Sequence, residues 1–319
     1  MTGNFRNILF VLEAGNRDSS MLSRVVRLAQ SGGSLLTVAE VVDELPKSMW
    51  KMVTYNDLAD IQESLVNTRQ QGLEQVVAPF REERRGLSMS VRVLTGSPHV
   101  EIIREALRNR HDLVIVPLGK ESRLKEALFG TTAMHLVQKC PCPVWVSPSR
   151  ELQRNAILAF VNPDPFDQKK MWLSAEVLET AVRMASLEKR ELHVVHAWSK
   201  YPEHILYCYA GVPLNVLDKY EDDRQKMNRT WIYSLLNKRM PGSGKCHVHF
   251  FEGETETLVS RVAQEFHAGL IVSGIIPRSA GTEIFSEKAI EDALHGTGCS
   301  VLVVKPEGFV TPVKLTAAF

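Results

Sequence analysis

The chain repeats itself once, and that repeat limits its possible folds more than its composition does. "HDLVIVPLG" (111–119) returns as "AGLIVSGII" (268–276), and "CPVWVSP" (142–148) returns as "CSVLVVKP" (299–306). Positions 113 and 270, like 142 and 299, are offset by 157 residues, and "GSP" (96–98) and "GET" (253–255) keep that offset. "NILFVL" (7–12) returns as "AILAFV" (156–161) at an offset of 149, so the early part of the second copy carries about eight extra residues. A period near 155 residues is too long for a solenoid and reads as a duplicated domain. The 319 residues are too many for one ordinary core and suit two of about 150. The polar segment "SPSRELQRNA" (147–156) is the natural join, so the expected domains are 1–150 and 151–319.

Within each copy, short apolar runs rich in β-branched residues alternate with helical patterns. The runs fall at 8–12, 35–42, 90–94, 113–116 and 144–147, then at 157–161, 192–198, 246–251, 270–273 and 301–304. Helical segments of the first copy are expected near 19–31, 57–79, 98–109 and 131–139. In "PHVEIIREALRN" (98–109), Val100, Ile103 and Leu107 recur at spacings of 3 and 4, and Pro98 suits a first helical turn. Continuous apolar strands joined by helices indicate a parallel sheet covered on both faces. The expected fold is therefore α/β, with two tandem doubly wound domains, each a five-stranded parallel sheet. In such a fold a ligand sits in the crevice at the carboxyl ends of the strands.

Composition excludes several classes of function. Net charge is +1, and no basic run carries interleaved aromatics, so nucleic acid is not an expected partner. No apolar run approaches the roughly 20 residues of a membrane span, so no membrane partner is expected. "MTGNFRNILFVLEAG" lacks the charged and small-residue features of a signal peptide. Cys140, Cys142, Cys208, Cys246 and Cys299 form no disulfide framework, which suits reduced thiols in a cytoplasm. Cys140 and Cys142 lack a second pair and read as small buried apolar residues.

"NILFVLEAG", "GSPHVEIIREAL", "DLVIVPLG" and "GTTAMHLVQKCPCPVWVSP", with "ILAFVN", "GLIVSG" and "CSVLVVKP" in the second copy, resemble a tandem universal stress protein. The resemblance covers nearly the whole chain, twice, and "KPEGFVTPVKL" (305–315) is similar to the E type of that family. It implies a cytoplasmic bacterial stress-response protein whose two domains form a pseudo-dimer within one chain; a homodimer of the whole chain is a further possibility. Many members of the family bind ATP through G-x-x-G-(nine residues)-G-[S/T], with an acid at the end of the first strand.

Matched to that pattern, the first copy departs from it. Gly130 and Thr131 fit the closing pair and Glu13 the acid, but Pro117 and Lys120 stand where the first two glycines belong, with Gly119 one place early. Phosphate loops use glycine for left-handed φ and for close approach of backbone N–H groups. Proline removes an N–H and fixes φ, whereas Lys120 offers a positive charge in exchange. In the second copy Gly274 matches the first glycine, but Pro277, Glu287 and Lys288 replace the others and Asn162 replaces the acid. Glu13, Gly119, Lys120, Gly130, Thr131, Asn162 and Gly274 are thus read as vestigial nucleotide positions.

His193, His196, His247 and His249 lie on two strands expected to be neighbours. His247 and His249 share a face, and either His193 or His196 can join them to give the three nitrogen ligands that suit zinc. Ordinary strand histidines bonded to backbone are the plainer reading, and no metal is expected. The aromatic- and methionine-bearing segments 46–62 and 198–220 are expected over the carboxyl ends of the strands, as domain packing or as the lining of an apolar pocket. No catalytic motif is assembled in the sequence. The expected function is that of a non-enzymatic stress-response protein, without cofactor, that binds an unidentified protein or small molecule. The alternatives are ATP binding or weak hydrolysis by the first copy, and carriage of an apolar ligand.

Overall fold

The computed structural model of the chain describes residues 5–12, 19–44, 55–84, 86–118, 131–148, 154–198, 213–240, 245–275 and 287–315. They divide into two compact units, Met1–Arg150 with Phe309–Phe319, and Glu151–Gly308. The first unit contains β1 (Asn7–Leu12), α1 (Ser19–Gly32), β2 (Leu35–Val42), α2 (Tyr55–Glu83), β3 (Met89–Thr95), α3 (Pro98–Arg108), β4 (Leu113–Pro117), α4 (Thr131–Lys139) and β5 (Val144–Ser147). Its strands pair in the order β3-β2-β1-β4-β5, all parallel. The C-terminal segment belongs to this unit too: Arg104 Nε of α3 donates to Lys314 O at 3.2 Å.

The second unit contains β6 (Ala156–Phe160), α5 (Gln168–Glu188), β7 (Glu191–Trp198), α6 (Leu214–Arg239), β8 (Cys246–Glu252), α7 (Thr255–Glu265), β9 (Ala268–Gly274) and α8 (Glu287–Glu291). α8 runs on as a π-helical turn, Asp292–Thr297, before β10 (Ser300–Val304). The strand order is β10-β9-β6-β7-β8, again all parallel. Each unit is therefore the doubly wound five-stranded sheet that the sequence predicts.

The burial follows from this order. β1, β4, β6 and β9 lie inside the sheets and are apolar on both faces, with Ile8, Leu9, Phe10, Ile115, Ile157 and Ile271 fully buried. Each such side chain contributes roughly 1.5–3 kcal/mol by leaving water. At the ends of the order, β3 alternates half-buried and exposed residues along much of its length, and β8 is half-buried or exposed throughout. Right-handed crossovers put α1 and α2 on one face and α3 and α4 on the other, because the chain reverses direction across the sheet between β3 and β4. The packing agrees, with α1 against α2 and α3 against α4.

Helix ends differ from the sequence expectation where local chemistry is strong. α2 runs from Tyr55 through Pro79 to Glu83, a few residues beyond the 57–79 expected. α3 does carry Pro98 in its first turn. α5 opens on Asp167, whose Oδ1 accepts from the backbone N–H groups of Lys169 and Lys170 at 2.9 and 3.2 Å.

The duplication extends to backbone dihedrals. Gly96 and Gly253, 157 residues apart, have φ of 131° and 134°. Each donates its N–H to the end of the strand beside it, Gly96 to Val42 O at 2.9 Å and Gly253 to Trp198 O at 2.8 Å. The following helix then starts two residues later. Only glycine adopts such a φ without strain. Gly253→Ala should therefore lower unfolding free energy by about 1–3 kcal/mol in urea titration. An unchanged midpoint would show that the turn relaxes without cost.

Candidate functional site

In each unit the strand order reverses between the first strand and the fourth, at β1/β4 and β6/β9, and a crevice opens at their carboxyl ends. At the first of these, Pro117 closes β4 opposite Ser147, and Leu118 N donates to Ser147 O at 2.7 Å. The chain at the first motif position is thus tied to β5. Thr131 opens α4. Glu13, Gly119, Lys120 and Gly130 lie outside the described residues, as do Pro277 and most of the segments 46–62 and 198–220.

At the second switch point the motif positions Gly274 and Asn162 are described. Gly274 ends β9 with its Cα packed against α5: a Cβ there would fall 2.5 Å from Leu173 Cγ and 2.6 and 2.8 Å from its methyl carbons. Leu173 is fully buried, so it has no room to retreat. Gly274 therefore has a packing requirement independent of phosphate. Asn162, at the acid position just beyond β6, is half-buried.

Beside it lies a polar group that the sequence reading did not single out as a unit. His196, on β7 and almost fully buried, hydrogen-bonds through Nδ1 to Val161 O at 3.0 Å. That contact makes Nδ1 the protonated nitrogen and leaves Nε2 to accept from Asn228 Nδ2 of α6 at 3.3 Å. Asn228 is itself buried, and its Oδ1 has no hydrogen-bond partner among the described residues. Burial pushes the His196 pKa down, against the pull of the Val161 carbonyl, and Arg224 and Arg229 push it the same way. In the first unit Glu40 occupies the matching place on β2, faces Arg69 of α2 at 3.5 Å and is raised in pKa by burial. The visible signal was a polar residue at the sixth position of each strand, Glu40 in "LLTVAEVV" and His196 in "ELHVVHAW".

The four candidate histidines do not assemble as one set. His193 pairs directly with His247 across β7 and β8, and His249 lies opposite Val195. His193, His247 and His249 share one face, with ring centroids of 5.0 Å for 193–247 and 5.2 Å for 193–249. His196, three residues from His193, faces the other way. His193 Nδ1 and His249 Nε2 are 3.0 Å apart. Burial, with the charges of His249 and His247, pushes His193 down to about 4. Phe266, just past α7, lies 4.6 Å from the His193 ring and 4.4 Å from that of His249. Cys140 and Cys142 are both buried, their sulfurs 3.6 Å apart, in keeping with a packing role.

The sequence model of the universal stress protein family matches residues 4–148 and 173–305. The chain belongs to the universal stress protein family. It is 23% identical over 321 residues to "Universal stress protein E" of Photorhabdus laumondii, covering 98% of both chains. The Escherichia coli K12 protein of that name is 23% identical over 316 residues, covering 98% of this chain and 97% of its own. Among solved structures, a universal stress protein from Archaeoglobus fulgidus superposes with a TM-score of 0.60 at 16% identity, covering 95% of this chain and 97% of that one. A Pseudomonas aeruginosa UCBPP-PA14 chain gives 0.67 at 23%, covering 95% and 94%. These likenesses establish the fold. No helix among the described residues is long and apolar enough to cross a membrane.

Two outcomes follow from the geometry. Gly274→Ala should destabilise the protein by about 1–3 kcal/mol through overpacking, and Leu173→Ala in the same chain should recover part of that loss; additive losses in denaturant titration would contradict the contact. The second outcome concerns pH. The unfolded state takes up a proton at His196 as pH falls past about 6.5, while the folded state resists it. Stability should therefore be complete above that pH and decline below it, with a shallower decline in His196→Gln. Equal slopes for the two proteins in urea titrations at pH 7.5 and 5.5 would contradict this.

Proposed function

We propose that this stress-response protein acts by binding a partner or small molecule, without catalysis, and that its two switch-point crevices have lost the family's nucleotide loop. The observation that carries the reading is the packing of Leu173 on Gly274. The glycine that matches the motif is accounted for by helix–sheet contact, and the remaining motif positions of that copy hold Pro277, Glu287 and Lys288. A carboxylate at a phosphate position repels the ligand. In the first copy the matching position is Pro117, which has no N–H to offer.

Each backbone-to-phosphate hydrogen bond lost is charge-assisted and costs about 1.5–3 kcal/mol. Two such losses weaken binding by roughly two to four powers of ten. Calorimetry of the full chain with magnesium and ATP should therefore show no binding at micromolar concentrations. Pro117→Gly combined with Lys120→Gly should raise the affinity measurably. Micromolar binding by the unaltered protein, abolished by Gly130→Glu, would show instead that "VPLGKESRLKEALFGT" (116–131) is a working loop.

A further inference from the structure

The amino end of the second unit's sheet, opposite the crevice, holds a group of side chains that neither packing nor nucleotide chemistry explains. Glu191 is the first residue of β7 and His193 lies two residues on, so both project from one face. His247 on β8 is the direct partner of His193 in the ladder. One ligand atom from each of Glu191, His193 and His247 lies within 4.8 Å of the other two. β8 is the last strand of the order, and His247 is exposed while His193 is buried. One side of the group is thus open to solvent and the other is fixed by the sheet.

We propose that Glu191, His193 and His247 form a binding site for a late first-row divalent cation, zinc foremost. Two imidazoles and a carboxylate are the His₂Glu ligand set of open zinc sites, which leave a fourth position for water. Nitrogen ligands select zinc, nickel, cobalt or copper, whereas magnesium and calcium prefer all-oxygen cages. In a tetrahedral site with bonds near 2.1 Å, ligand atoms stand about 3.4 Å apart. The three ligand atoms, within 4.8 Å of one another, are within about 1.5 Å of that spacing.

The surroundings serve such a site. His249 Nε2 lies 3.0 Å from His193 Nδ1, so Nδ1 is engaged and Nε2 is the nitrogen left for the metal. A ligating imidazole held through its other nitrogen is the usual outer support of a metal site. Lys245 Nζ donates to Glu191 Oε1 at 2.8 Å, which leaves Oε2 for a cation. Phe266 closes the group from the α7 side. His196 faces the other side of β7 and takes no part. The sequence alone favoured no metal, because proximity in sequence does not establish a ligand geometry; the ladder register shows that His193, not His196, stands beside His247.

The test uses the full chain without a polyhistidine tag, stripped with chelator and titrated with zinc. The expected result is one zinc per chain by calorimetry and elemental analysis, and with cobalt(II) a visible absorption band of a four- or five-coordinate ion. His247→Gln, at an exposed position that leaves the fold intact, should abolish both. His249→Gln should weaken zinc binding by about 10–100-fold without changing stoichiometry. His196→Gln should leave zinc binding unchanged. No stoichiometric uptake by the unaltered protein, or uptake indifferent to His247→Gln combined with Glu191→Gln, would overturn the proposal.

Discussion

In both units, the parallel pairing of the first strand with the fourth positions everything else. β1 pairs with β4 from Ile8 to Phe10, and β6 with β9 from Ala156 to Phe160. This pairing requires the chain, having moved outward through two crossovers, to return across the sheet and continue on the other side. Right-handed crossovers then fix which helices cover which face. The two strands at the reversal carry the most thoroughly buried side chains, so their ladder is also the centre of the core. The crevice above it is a consequence of the topology and would exist whatever residues lined it.

That distinction explains how two copies of one fold diverge without losing it. The duplicated positive-φ glycines, Gly96 and Gly253, survive because the turn geometry itself needs them. At the crevices the two copies differ, and where glycine is kept, at Gly274, the packing of Leu173 requires it. Position 117 holds proline in one copy and position 274 glycine in the other, and both are compatible with the strand end they close. The buried polar position on the second strand has diverged as well, to Glu40 with Arg69 in one unit and His196 with Asn228 in the other. In both, a polar group inside an apolar strand faces the long helix that follows, as an ion pair in the first unit and a hydrogen bond in the second.

Strands and crossovers were legible in the sequence because a strand buried on both faces leaves an unbroken apolar run, such as "LVIVP" or "GLIVSG". The end of α2 was less legible, because Pro79 is tolerated inside a long helix that is held by packing against β2 and β3. The return of residues 309–319 to the first unit leaves no local pattern, since it depends on contacts such as that between Arg104 and Lys314. At the candidate site, residues sharing a strand face were readable from a period of two, which placed His247 with His249. Cross-strand register was not, because it is set by the turns and by α6, and only the ladder pairs His193 with His247. The reason for Gly274 was equally hidden: Leu173 is about a hundred residues away in sequence.

The account stands or falls on whether the switch-point crevices are nucleotide sites. Native mass spectrometry of the full chain, sprayed with magnesium and an excess of ATP at micromolar concentration, addresses this most directly. The account predicts a spectrum without nucleotide adducts under conditions that keep the two units folded. A saturable adduct of one ATP, or of two, would contradict it and would return the loops at 117–131 and 274–288 to the status of working phosphate sites.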